Sequence, residues 1–224
     1  MTEDRTESMT DADGQRYLVV LDVDSTLIEN EAIELLAAQA GSLELVAEVT
    51  ERAMRGELDF AQSLRERVAT LAGLPESVFD TVRSQITVTP GATELIATVK
   101  KHGGVVGVVS GGFLELLDPL AATLGLDYWR ANRLEIIGGK LSGRVLGEIV
   151  DAQAKADSLI EWAEETNTPL SQTVAIGDGA NDLKMMAVAG LGIAFCAKPI
   201  VAEQADATIN LRDLSLALDL ISLR

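Results

Sequence analysis

Cysteine is nearly absent. Cys196 is the only one in 224 residues, so no intrachain disulfide can form, and a reducing compartment, the cytoplasm, is the expected location. Basic residues are scarce as well: 18 Lys and Arg face 35 Asp and Glu, a formal net charge of −17. That balance argues against nucleic acid, which needs a basic face to release counterions, and against an anionic membrane surface. No apolar run reaches the roughly 18 residues needed to span a bilayer. The opening MTEDRTESMTDADGQR lacks the apolar segment of a signal peptide and reads as a disordered acidic tail over 1–15. What remains is 47% hydrophobic and long enough for one good-sized core, or for a core with a smaller insertion. An anionic ligand would have to be met by a few locally placed cations. Oligomeric state is left open.

The apolar residues are distributed as alternating strands and helices. YLVVL at 17–21, GVVGVVS at 104–110, TVAIGD at 173–178 and LGIAF at 191–195 are short and β-branched enough for buried strands. Helical spacing separates them near 91–101, 152–166 and 181–188, and RANRLEIIGGKLSGRV at 130–145 reads as a hairpin turning at Gly138 and Gly139. This pattern predicts an α/β protein with a doubly wound parallel sheet. The alternation breaks once. Between 31 and 86, Ile33, Leu36, Ala40, Leu43, Val46, Val49, Leu64, Val68 and Leu71 recur at three or four residues, punctuated by Gly41, Gly56 and GLPES at 73–77. That block is too long for a connection. It predicts a helical cap inserted after the first strand, with 16–30 and 87–224 forming the core.

In such a sheet ligands bind at the carboxyl ends of the strands. Those ends carry Asp22-Val23-Asp24, Ser110-Gly111-Gly112 and Asp178-Gly179-Ala180-Asn181-Asp182, with Lys155 between the last two. Residues i and i+2 of an extended segment face the same way, so Asp22 and Asp24 can address one ligand, and Asp178 adds a third acid. Hard oxygen donors with no His or Cys nearby suit Mg²⁺, which commonly shares itself with a phosphate. Ser110 offers a hydroxyl, and the two glycines after it let backbone N–H groups approach an anion. Lys155 in a first helical turn runs against the helix dipole, a position that phosphate charge would compensate.

Phosphoryl transfer follows from these parts. Asp22 would attack phosphorus to give an aspartyl-phosphate, while Mg²⁺ and Lys155 neutralise the phosphoryl oxygens. Asp24 would protonate the leaving alcohol and then deprotonate the hydrolytic water. Each residue alone has a plainer reading. The two aspartates can cap a following helix, Lys155 can be a solvated surface lysine, Arg67 in RER can belong to a wet helical face, and Met54 and Phe60 can be simple core. Together the strand ends point to a phosphomonoesterase.

DVDST at 22–26, VVSGG at 108–112, Lys155 and GDGANDLKM at 177–185 resemble, in order and spacing, the four motifs of haloacid dehalogenase (HAD) superfamily phosphatases. DVDSTLIENEAIELLA, RGELDFAQSLRERV, ANRLEI and IAFCAKP are similar to the phosphoserine phosphatase family in particular. The resemblance implies a HAD-like core and Mg²⁺-dependent hydrolysis of the small molecule O-phospho-L-serine, the last step of serine biosynthesis. It also implies that Glu31 holds the substrate ammonium, that Arg67 holds its carboxylate, and that Met54 and Phe60 close over it. Ser110, Gly111 and Lys155 would bind phosphate, and Asn181 would lie on the substrate side. Asp22, Asp178 and the backbone carbonyl of Asp24 would hold the metal. Transfer of phosphate to an acceptor such as homoserine, another small phosphomonoester, and a non-enzymatic phosphometabolite-binding role remain as alternatives.

Overall fold

The structure, a computed structural model, describes residues 17–221 and Leu223. The segment 1–15, expected as an acidic tail, lies outside the described residues. Seven strands form one sheet, β1 (Leu18–Leu21), β2 (Val105–Phe113), β3 (Tyr128–Ile137), β4 (Lys140–Leu146), β5 (Thr173–Gly177), β6 (Leu191–Phe195) and β7 (Ala207–Ile209). Their order is β4-β3-β2-β1-β5-β6-β7, parallel throughout except for the antiparallel β3–β4 hairpin. The first strand is therefore central, and the chain winds away from it in both directions. The crevice at its carboxyl end is the switch point where doubly wound sheets bind ligands.

β1 is buried on both faces, which is why it reads as an unbroken apolar run. Val19 and Leu21 pack in a cluster with Leu95 and Val99 of α5 (Ala92–Lys101). Leu18 and Val20 pack on the other face with Leu159 and Trp162 of α7 (Ala152–Glu165). Gly107 in β2 makes the second contact possible: a Cβ there would lie 2.9 Å from the Trp162 ring, so α7 approaches the sheet closely only because that side chain is missing. The ring in turn stacks on Tyr128 at 5.4 Å between centroids.

The block between β1 and α5 holds α1 (Ala32–Ala40), α2 (Leu43–Met54), α3 (Phe60–Ala69) and α4 (Val78–Arg83). It has its own core, including Leu36, Val46, Leu64, Val68, Leu71 and Phe79, continuous with Phe113, Leu116, Leu134 and Leu141 from the sheet side. The β3–β4 hairpin also pairs with it through the backbone. Gly73 N–H donates to the Leu141 carbonyl and Leu141 N–H to the Leu74 carbonyl, each at 2.8 Å, and Glu76 N–H donates to Gly139 at 2.9 Å.

Three features differ from the sequence expectation. β2 continues to Phe113, three residues past Ser110, before α6 (Leu114–Leu124) begins. α8 (Leu183–Val188) is preceded by a separate tight turn at Ala180–Asp182 instead of starting at 181. Beyond Phe195 the fold adds α9 (Pro199–Ala202), β7 and α10 (Ala217–Leu220), each too short to set up a periodicity.

Gly107→Ala is expected to destabilise the protein by about 1–3 kcal/mol through overpacking against Trp162. Urea unfolding followed by far-UV circular dichroism measures it, and an unchanged midpoint would contradict the close approach of α7.

Candidate active site

At the end of β1 the Asp22 N–H still belongs to the sheet, donating to the Ile176 carbonyl at 2.8 Å. The chain then turns sharply, with Ser25 at φ 57, and delivers Asp24 and Glu31 to the same cavity as Asp22. That cavity has a volume of about 430 Å³. One wall comes from strand ends. The opposite wall comes from the helical insertion, where α3 is set by a capping box between Asp59 and Gln62 (2.7 and 3.0 Å). Phe60 and Arg67, seven residues apart, share the inner face of that helix.

Nine of the residues singled out in the sequence line this cavity: Asp22, Asp24, Glu31, Met54, Phe60, Arg67, Gly111, Asp178 and Asn181. Met54, the last residue of α2, is 70% exposed. Phe60 lies directly over Gly111, where a Cβ would meet its ring at 2.7 Å. Ser110 and Lys155 do not reach the wall; they are buried behind it, holding Asp24 and Asp22.

Lys155 is 0% exposed, at the start of a helix whose N-cap Asp151 accepts from Gln153 and Ala154 N–H. Its ammonium donates to Asp22 and, at 2.7 Å, to Asp182. Burial alone would lower the lysine's pKa, but the charges of Asp182 and Asp22 outweigh it and raise the value. The plain reading as a solvated lysine fails because a buried ammonium needs both partners. Asp182, fully buried, also accepts from the Gly179 N–H at 3.0 Å. The sequence reading quoted Asp182 but assigned it nothing. Its signal was the need of a buried lysine for a second counter-charge, visible only once burial is known.

Asp22 and Asp24 have separate partners despite their i, i+2 spacing. Asp24 accepts from Ala32 N–H at 2.7 Å and from the Ser110 hydroxyl at 2.9 Å. It does cap the following helix, α1, while its carboxyl also borders the cavity. Ser110 is thereby turned toward Asp24, and its oxygen accepts from Gly112 N–H at 2.7 Å.

The electrostatics are strongly one-sided. Burial, followed by Asp182 and Asp24, pushes the Asp22 carboxyl well above its ordinary value even against the pull of Lys155. Asp178 is pushed up to about 6 by burial and the Asp182 charge, with Lys155 and Lys198 opposing. Glu31, oriented by the Ser25 hydroxyl at 2.7 Å, is pushed up to about 7 by desolvation and by Asp24. Arg67 faces these acids with its pKa lowered by burial, and its Nε donates to the Ser63 carbonyl at 3.3 Å. Lys198, which the sequence reading passed over, is a second cation on the cavity wall.

Carboxylate oxygens of Asp22, Asp178 and Asp182 lie within 4.8 Å of one another. Because both Asp182 oxygens are engaged by Lys155 and Gly179, Asp22 and Asp178 are the open donors. Three acids against one lysine leave surplus negative charge in a hard-oxygen setting, which fits a divalent cation.

A profile of the haloacid dehalogenase-like hydrolase family matches residues 19–187. A phosphoserine phosphatase from Streptomyces coelicolor is 58% identical over 92% of this chain, which spans 50% of that relative's length. One from Streptococcus thermophilus is 54% identical over 91% of this chain and 95% of its own. A solved structure described as a phospho-aspartyl intermediate analogue of phosphoserine phosphatase superposes with a TM-score of 0.87 at 47% identity, covering 92% of this chain and 99% of that one. Among the described residues no helix is long and apolar enough to cross a membrane. With the motif spacing, the sheet order and the Lys155-centred acid cluster, these likenesses make the chain a member of the haloacid dehalogenase-like hydrolase family.

Proposed function

We propose that the chain is a phosphoserine phosphatase, hydrolysing O-phospho-L-serine to L-serine and phosphate with Mg²⁺, at the last step of serine synthesis. The observation that carries the reading is the cavity itself. A buried Lys155–Asp22 pair stands at the carboxyl end of the central strand, and Glu31 and Arg67 are charged groups of opposite sign lining the same space. A phosphoryl group, an ammonium and a carboxylate are the complement of that set. The relatives bearing that activity in their names support the substrate.

The chain's own residues divide the reaction. Lys155 holds one Asp22 oxygen, leaving the other to attack phosphorus in line. The P–O bond to serine breaks as the aspartyl-phosphate forms, and Asp24, oriented by Ala32 N–H and Ser110, gives a proton to the departing serine oxygen. Asp24 then takes a proton from water as the water oxygen bonds to phosphorus and releases Asp22. Asp22, Asp178 and the Asp24 carbonyl would hold Mg²⁺, which supplies positive charge to the phosphoryl oxygens. Gly111 leaves room for Phe60 above the phosphate side, Met54 closes the rim, and Asn181 borders the substrate. The helices over 31–86 act as the cap.

Phosphate release from O-phospho-L-serine is expected with Mg²⁺, to vanish with chelator, and to fall at least a thousandfold in Asp22→Asn; activity within tenfold of wild type in that variant would overturn the mechanism. Arg67→Ala is expected to raise KM more than tenfold with a smaller change in kcat, by removing a buried charge partner. Homoserine added as acceptor should yield no phosphohomoserine, and its formation would favour the transferase.

A second expectation concerns the acids. A carboxyl raised from its ordinary 3.8 to about 6 binds its proton more tightly in the folded protein, so Asp178 costs stability as pH rises through that interval and the cost is absent below it. In chelator, Asp178→Asn should therefore melt higher than wild type at pH 8, converge with it near pH 4, and lose the Tm gain that Mg²⁺ gives the wild type. Scanning calorimetry at both pH values checks this, and a lower Tm in the variant at pH 8 would refute it.

A further inference from the structure

The ladder between β2 and β3 is interrupted beside the site. The strands pair at Val109 with Arg130 and next at Phe113 with Asn132. β2 therefore carries Ser110, Gly111 and Gly112 where β3 carries only Ala131. Such a bulge turns a strand toward a site and removes ladder hydrogen bonds.

The side chain of Asn132, 1% exposed, takes their place. Its Nδ2 donates to the Gly111 carbonyl at 2.8 Å, and its Oδ1 accepts from the Val150 N–H at 2.9 Å. A carbonyl can only accept and an N–H only donate, so these partners define which way the amide points. Gly112 N–H is engaged by Ser110 Oγ at 2.7 Å, so the Gly111–Gly112 peptide is held on both sides. Val150 precedes Asp151, the N-cap of α7, whose carbonyl accepts from Lys155 N–H at 3.0 Å. One buried amide thus joins the turn bearing Ser110 to the first turn of the helix bearing Lys155.

We propose that Asn132 is a positioning residue for phosphoryl transfer, holding the Ser110–Asp24 pair and the Lys155–Asp22 pair in fixed relation so that both address one phosphoryl group. This rests on the phosphatase reading above. Asn132 touches neither pair directly. It acts through Gly111 on one side and through the loop before α7 on the other, and nothing else among the described residues hydrogen-bonds both.

The test compares wild type, Asn132→Ala, Asn132→Asp and a control, Leu95→Ala, which empties a core position on α5. All are assayed with Mg²⁺ below their melting temperatures, for turnover of O-phospho-L-serine and, by calorimetry, for orthophosphate binding. Asn132→Ala is expected to lower kcat and orthophosphate affinity at least tenfold, while Leu95→Ala, also destabilised, keeps both. Asn132→Asp keeps the acceptor for Val150 but loses the donor to Gly111. Its kcat relative to wild type should be low at neutral pH and recover as pH falls, when a protonated carboxyl can donate again; this variant carries the test if Asn132→Ala does not fold. Wild-type kcat and phosphate affinity at neutral pH in either Asn132 variant would overturn the proposal, as would an equal loss in Leu95→Ala. A wild type that binds orthophosphate but leaves O-phospho-L-serine intact would instead overturn the substrate reading, and the binding arm would still judge Asn132.

Discussion

An ammonium with no exposed surface, held between two buried carboxylates, is the constraint on which the rest of this structure depends. Taking such charges out of water costs several kcal/mol per ion, and only close mutual pairing offsets it. Asp22 must therefore arrive from β1, Asp182 from the turn after β5, and Lys155 from α7, all at one point. Gly107 permits the required approach of α7 to the sheet, and the Trp162 contact secures it. The helix dipole opposes a lysine in that first turn, so its place is determined by the acids around it.

The pairing is incomplete by design of the site's charge. Asp22 and Asp178 keep carboxyls whose pKa values are raised, first by burial and then by the neighbouring acid charges, which the lysines nearby oppose without cancelling. A fold that holds surplus negative charge at the mouth of its central strand is poised for a cation and, through it, for an anionic group that the chain's overall charge of −17 would otherwise repel. Asp24 has hydrogen-bond partners of its own. Its ties to the Ala32 N–H and the Ser110 hydroxyl orient its carboxyl at the edge of the cavity.

Much of this was legible in the chain. The unbroken apolar strands, the helical block after the first of them, and acids placed just after apolar runs are local patterns, and they led to the α/β class, the helical block and Asp22, Asp24, Gly111 and Asp178; the family resemblance supplied Glu31, Met54, Phe60, Arg67 and Asn181, and all nine line one cavity. Asp182 and Asn132 were on the page as letters in GDGANDLKM and ANRLEI, yet spacing attaches no role to either. Each acts by satisfying a buried partner that is distant in sequence: Lys155 is 27 residues before Asp182, and Gly111 is 21 residues before Asn132. Likewise, i, i+2 spacing correctly put Asp22 and Asp24 on one cavity, but burial gave them different partners, Lys155 for the first and Ala32 and Ser110 for the second.

The sequence by itself determined the alternation of strand and helix, the excess of acid and the order of the chemical groups, because hydrophobic periodicity and charge are properties of neighbours along the chain. Only the tertiary structure decided which of those groups lose their water and which partners they find when they do. Burial depends on contacts between segments far apart in the chain, and the worth of a charge or an amide depends on burial. Hence Lys155 became the buried centre of the site, Ser110 turned to Asp24, and a bulge in β2 made Asn132 the link between them.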